Sequence, residues 1–161
     1  MASIVRQLAD ALVARLAALE WSGVPYAARR TYANVEDERL GERSGDVDVA
    51  VIVPDAYESI ELDTRASVER TVIVRVVVRA KLGPAESDGD TGKLDQDRID
   101  DLVALSEFLS TAAIYDRLAD YPNARFSPPA EHNPIYRPDH LRELRQFTSV
   151  IAITFAIDSP L

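Results

Sequence analysis

The chain has 161 residues, which suits a single domain, and 47% of them are apolar, enough for one hydrophobic core. The absence of cysteine excludes disulfides and thiolate metal sites, and the only histidines, His132 and His140, lie in a proline-rich region that argues against a histidine metal cluster. A formal net charge of −9 argues against a surface that neutralises nucleic-acid phosphates. No apolar run reaches the ~18–20 residues of a membrane helix, and no signal peptide is evident. The composition therefore indicates a soluble protein.

Hydrophobic periodicity divides the chain into helices and strands. Apolar residues recur every three or four positions where a helix is predicted, and alternate with other side chains where a strand is predicted. The predicted elements are a helix at 3–20, strands at 24–35 and 46–53, a short strand or extended loop at 57–63, a long strand at 67–81, a helix at 97–109 with a further turn or two at 112–118, a short helix at 139–145 and a final strand from 147. This order predicts an α+β fold with a mixed, mainly antiparallel sheet and helices packed on one side.

The final strand is the most apolar element. Its odd positions are Phe147, Ser149, Ile151, Ile153, Phe155 and Ile157. Their alternation with smaller side chains predicts that the odd positions face a core. Since the free edge of such a strand would recruit other chains, we expect it to lie inside the sheet or to be covered in an assembly.

The strand at 67–81 is long for a small domain. Its predicted buried face consists of Val68, Val72, Val74, Val76, Val78 and Ala80. Its predicted solvent face consists of Glu69, Thr71, Arg75, Arg79 and Lys81, interrupted by Ile73 and Val77. A long hairpin arm or a surface between subunits would explain the length.

Two segments are predicted to be loops. Residues 83–94 are acidic and glycine-containing, which is typical of a flexible loop. Residues 121–138 hold five of the nine prolines and are predicted to form an ordered loop or a short edge strand. Pro138 then suits the first turn of the short helix. We predict one domain over residues 1–161 with a flexible loop at about 83–94.

Asp46 and Asp48 are the strongest candidates for chemistry. Two carboxylates two positions apart on a strand point to the same face, and such pairs hold metal ions in nucleotidyl-transfer sites, where Glu69 could supply a third carboxylate. Ser44-Gly45, however, directly adjoins the pair and stands in reversed order relative to the Gly-Ser pair of such enzymes. The competing interpretation is two acids on a solvated strand face.

The other motifs fail on spacing. The stretch 89–94 lacks the first glycine of a phosphate-binding loop and has Leu94 where Ser or Thr is needed. The stretch 41–45 has its serine displaced from the position of a nucleophile elbow. His132 and His140 are predicted to be surface loop histidines. We therefore predict no catalytic residue, no cofactor-binding residue, no metal ligand and no enzymatic activity.

The arrangement of elements resembles the tail terminator, or tail completion, proteins of long-tailed bacteriophages. The resemblance runs through the helical N-terminus and the strand ending at Pro54, and is most specific near the C-terminus. The residues that carry it are Arg30-Thr31-Tyr32, Val49, Val51, Val53, Thr64-Arg65, Val72–Val78, the helix at 97–109, Pro134-Ile135-Tyr136, His140-Leu141 and Leu144–Ser149.

The resemblance implies a structural role in the virion, with assembly in the host cytoplasm. Such proteins form a homo-hexameric ring that ends growth of the tail tube and offers a surface to the neck or head-completion proteins. DNA passes through the lumen without sequence-specific binding, and no membrane is involved. The negative charge of this chain suits such a channel.

Five basic residues are our candidates for the interface between subunits. They are Arg75, Arg79 and Lys81 on the long strand, with Arg142 and Arg145 near the last strand. Two alternatives stay open: a head–tail stopper or adaptor protein, and a metal-dependent nucleotidyltransferase-like domain using Asp46 and Asp48.

Overall fold

A computed structural model describes residues 2–41, 47–61, 67–82, 96–114 and 117–160. In these ranges it contains a six-stranded sheet and three α-helices, which confirms the predicted α+β class. The elements are α1 (Ile4–Ala18), β1 (Tyr26–Thr31), a 3₁₀ turn (Val35–Asp37), β2 (Val47–Ile52), β3 (Glu58–Glu61), β4 (Ser67–Lys81), α2 (Gln96–Ile114), β5 (Ala124–His132), α3 (Pro138–Glu143) and β6 (Gln146–Pro160).

The sheet is mixed and mainly antiparallel. Its strand order is β1-β2-β4-β6-β5, and only the pair β1–β2 is parallel. β2 pairs with residues 75–79 of β4, and β3 pairs with residues 68–71 on the same side of that strand. β4 and β6 pair along all 15 residues of each. The apolar β6 therefore lies inside the sheet, as predicted.

One face of the sheet carries the main core. Most of the alternating residues predicted for this face are buried in one cluster with the apolar sides of α1 and α2, because the strand period places every second side chain toward the helices. The largest fully buried members are Leu8, Leu12, Leu16, Leu102, Leu105, Leu109, Leu118, Phe147, Ile151, Ile153, Phe155 and Ile157. The two long helices thus pack on one side of the sheet.

The second face is covered along only part of its length. A smaller buried cluster there joins the 3₁₀ turn to β2, β4 and β6 through Val35, Ala50, Ile52, Val77 and Val150. Val77 was predicted to lie on the solvent face of β4. It is instead buried beneath the chain segment that follows β1.

That segment forms because β1 ends earlier than predicted. The expected strand at 24–35 stops at Thr31, whose hydroxyl accepts a hydrogen bond from the Ala33 amide at 3.1 Å. The Asn34 side chain then accepts from the Glu36 amide at 3.2 Å and caps the 3₁₀ turn. These local side-chain bonds compete with continuation of a strand and fold the chain over the sheet.

The second long helix continues farther than predicted. The helix predicted at 97–109 runs on to Ile114, and the hydroxyls of Ser110 and Thr111 both donate to the Glu107 carbonyl at 2.9 Å. The acidic loop predicted at 83–94 lies outside the described residues.

The proline-rich stretch forms the edge strand β5, one of the two predicted alternatives. Its pairing with β6 is interrupted between Ser127 and Glu131, where Pro128 and Pro129 lie. Prolines cannot donate to a ladder and so reduce pairing at this outer edge. The short helix α3 begins at Pro138, as predicted.

Candidate interaction surfaces

Asp48 lies at the centre of an ion-pair cluster on the second face. Arg29 Nε and a terminal nitrogen of Arg29 donate to its two carboxylate oxygens at 2.7 and 3.0 Å. Arg79 donates two further hydrogen bonds to Oδ2, at 2.7 and 3.2 Å. Burial alone would raise the pKa of Asp48, but the hydrogen bonds from Arg29 and Arg79 outweigh it and lower the pKa.

This cluster gives Asp48 a role other than the metal ligand considered above. Both carboxylate oxygens already accept hydrogen bonds from guanidinium groups, which would repel a cation. Its predicted partner Asp46 lies outside the described residues. Within those residues no group of three or more His, Asp or Glu side chains is placed to hold a metal ion.

Arg79 was wrongly predicted to face solvent. Its side chain is only 5% exposed, because the segment after β1 covers it. Besides Asp48, it contacts the carbonyl oxygens of Val35 and Glu38 at 3.4 Å each. Arg79 therefore ties the covering segment to the sheet within one protomer and presents no free cation to a partner.

The other four interface candidates lie nearer the surface. Arg75 is exposed and pairs with Glu36 at 2.6 Å. Lys81 and Arg145 are half-buried at the same end of the sheet, where the Leu82 amide donates to the Arg145 carbonyl at 2.8 Å. Arg142 is exposed on α3. The structure thus brings Lys81 close to Arg145 but does not join all five residues in one patch.

His140 is buried in α3, contrary to the predicted surface loop position. The Gln146 side-chain amide donates to Thr148 Oγ1 at 3.0 Å, which leaves the Thr148 hydrogen for His140 Nδ1, 2.8 Å away. Gln146 also accepts from the Leu40 amide at 2.7 Å. Burial and the nearby Arg137 lower the pKa of His140, which fits this neutral, accepting imidazole.

His132 also differs from the prediction, because it lies half-buried in β5 beside a serine of α2. Its Nε2 is 2.8 Å from Ser110 Oγ, a nucleophile–base distance that the sequence did not reveal, because 22 residues separate the two. Ser110, however, donates its hydrogen to the Glu107 carbonyl, so the imidazole must donate to the serine. Nδ1 of His132 is buried without a hydrogen-bond partner among the described residues, so no carboxylate orients it as in a catalytic triad.

The uncovered part of the second sheet face exposes apolar side chains. Ile73, in the middle of β4, is 57% exposed. It pairs with Thr154 of β6, and on its other side it lies between the part of β4 that pairs with β2 and the part that pairs with β3. Beside it lies a groove of 440 Å³ whose lining includes Tyr57, Thr71 and Arg75. The guanidinium of Arg70 lies 5.9 Å from the centre of the Tyr57 ring. The groove thus combines the exposed apolar side chains of Tyr57 and Ile73 with polar and charged ones.

A second group of exposed apolar side chains lies toward the opposite edge of the sheet, beside β6 on the side of β5. Ile135 and Tyr136, between β5 and α3, are both exposed. Backbone hydrogen bonds on either side hold this turn against β6: the Val150 amide donates to the Pro134 carbonyl at 3.0 Å, and the Arg137 amide donates to the Thr148 carbonyl at 3.1 Å. The two side chains therefore project from an anchored turn.

Comparison with models of known protein families finds no match to this chain, and comparison with curated protein sequences finds none either. Among the helices that the structure describes, none combines the length and apolar character needed to cross a membrane. Any function must therefore be argued from the surfaces themselves.

Proposed function

We propose that this chain is a virion structural protein of the tail-terminator type, which forms a homo-hexameric ring on the end of a phage tail tube. The observation that carries the proposal is the open half of the second sheet face, with Ile73 exposed at its centre. Ile73 and Tyr57 are exposed side by side in one groove, and exposed apolar side chains grouped in this way mark surfaces at which another molecule binds.

The paired strands β4 and β6 give that face a rigid base. Their uninterrupted ladder of 15 residue pairs spans roughly 50 Å at about 3.3 Å per residue. Contact between protomers along this face would bury apolar area, which stabilises an assembly by about 25 cal/mol per Å². When the same contact is repeated from protomer to protomer, the chain of protomers closes into a ring if the successive rotations add up to a full turn.

The segment with the most specific family resemblance forms one connected unit. It includes the turn at Pro134, helix α3 and the start of β6, joined by the hydrogen bonds of His140, Gln146 and Thr148. A rigid turn beside the central strands is suited to contact with another subunit. This arrangement supports the proposal independently of the exposed sheet face.

The proposed partners are other copies of this chain, the tail tube protein, and a neck or head-completion protein. The net charge of −9 supports a lumen through which DNA passes without sequence-specific binding, because like charges repel. The proposed location is the neck region of the virion tail. In this proposal the protein acts by binding these partners through the shape and charge of its surfaces, and not by catalysis.

The direct test is electron microscopy of tail tubes assembled from their tube protein with and without this chain. A terminator binds as a ring at one end of each tube and halts further growth. Failure to bind tubes, combined with binding to a head-completion protein, would instead support the alternative stopper or adaptor role. Binding to neither would contradict the proposal.

A further inference from the structure

We propose that the ring contact is head-to-tail, with the Ile135-Tyr136 turn of one protomer seated in the Tyr57–Ile73 groove of the next. This inference rests on the proposed ring function and assigns its two contacting surfaces. Five large apolar side chains are exposed among the described residues, and four of them fall in these two places. The fifth is Tyr32.

The two surfaces lie toward opposite edges of the sheet. The groove is lined by residues of β4 and of the chain entering β3, on the β2–β3 side of β4. The turn is hydrogen-bonded to β6 on the side where β5 pairs. A contact between two different patches is heterologous, which is the geometry that builds rings rather than two-fold dimers.

The charges around the two surfaces are complementary. Asp55 and Glu58 line the groove, and neither carboxylate has an ion-pair partner among the described residues. Arg142 is exposed on the α3 helix that follows the turn, and within the same described part of the chain its guanidinium is likewise unpaired. The unpaired carboxylates of Asp55 and Glu58 can therefore pair with Arg142 of a second copy of this chain.

The volumes also fit. The groove of 440 Å³ can admit one or two large side chains, and the turn offers one aliphatic and one aromatic side chain in adjacent positions. Tyrosine is one of the residues enriched at the centres of protein interfaces, where it fills pockets in the partner surface. Arg75, one of our original candidates, lines the groove and would border the seated turn.

Two surface variants test the contact. Ile73→Glu places a charge in the groove, and Ile135→Asp places one on the turn. Both residues are exposed, so both variants should keep the fold, which circular dichroism and thermal melting check. Tyr32→Ser is the matched control, because it removes an exposed apolar side chain outside both surfaces.

Sedimentation of the full chain, up to millimolar protomer concentration, gives the readout, so that weak contacts are also detected. We expect the wild-type protein and Tyr32→Ser to form rings, and each charged variant alone to remain a monomer. An equimolar mixture of Ile73→Glu and Ile135→Asp should form a one-to-one heterodimer and stop there, since one intact turn meets one intact groove. Reversal of Arg142 to Glu should weaken assembly about fivefold, and the added reversal Glu58→Arg should restore it.

The outcomes separate this inference from the proposed function. Rings that persist in both charged variants, or variants that fail to associate when mixed, would overturn the head-to-tail assignment and leave the ring intact. Wild-type chains that join head to tail without closing would support the contact and contradict the ring. A wild-type protein that stays monomeric, alone and with tube protein, would overturn both.

Discussion

Replacing Asp48 with Ala should cost far more stability than replacing its partner Arg29. Asp48→Ala leaves the Arg79 guanidinium, whose side chain is 5% exposed, with only its two 3.4 Å contacts to carbonyl oxygens. Loss of one partner of a buried pair costs about 3–5 kcal/mol, and these remaining contacts place the expected loss near the lower figure. Arg29 is 46% exposed, so Arg29→Ala should cost at most about 1 kcal/mol.

Urea unfolding at a fixed protomer concentration measures the difference, since assembly would otherwise add to the apparent stability. With a slope of about 2 kcal/mol per molar urea, Asp48→Ala should lower the midpoint by about 1.5 M and Arg29→Ala by no more than about 0.5 M. Arg30→Ala, which breaks the exposed pair with Asp10, is the matched control and should behave like Arg29→Ala. Equal, small losses for Asp48→Ala and Arg29→Ala would show that Arg79 is not a buried charge that depends on Asp48.

His140, Phe155 and the Asp48 carboxylate each give a further prediction. The pKa of His140 is lower in the folded chain than in the unfolded chain, so as the pH falls the unfolded chain binds the proton at a higher pH. The free energy of unfolding should therefore decrease as the pH is lowered from about 6.5, by up to about 1.4 kcal/mol per pH unit. Urea unfolding at a series of pH values above 5 should show this slope in the wild type and not in His140→Asn, and the same slope in both would show that His140 does not cause it. The pKa of Asp48 is also lowered, so protonation of Asp48 should reduce stability only below about pH 4. Phe155→Ala should cost about 3–5 kcal/mol in chemical unfolding, since the ring is buried in the main core; a loss below about 1 kcal/mol would show that the site is loosely packed. Millimolar Mg²⁺ should leave the melting temperature unchanged, because both Asp48 oxygens are already engaged; a rise that Asp48→Ala abolishes would instead support the nucleotidyltransferase alternative.

Features that depend on local periodicity were predictable from the sequence. The alternation of Val47, Val49 and Val51, and that of Ile151, Ile153 and Phe155, placed the core face correctly, because every second strand residue points the same way whatever the neighbouring strands are. The prolines identified β5 as a candidate edge strand for an equally local reason, the missing amide hydrogen.

Features that depend on distant parts of the chain were not predictable in this way. The carbonyl that covers Arg79 comes from Val35, 44 residues away, and no pattern within β4 indicates it. His140 looked like a loop histidine because its partner Thr148 lies across a turn whose geometry depends on the left-handed backbone of Arg145, at φ 49°. The exposure of Ile73 was not predictable from β4 alone, because it depends on how far the segment that follows β1 extends over the sheet, and that segment does not reach Ile73.

The most direct test of the ring is the mass of the purified protein by light scattering, measured alone and with tail tube protein. We expect a discrete species of six times the protomer mass of 17.8 kDa, or a monomer that becomes a ring on tube ends. A monomer at every concentration that remains indifferent to tube protein would contradict it.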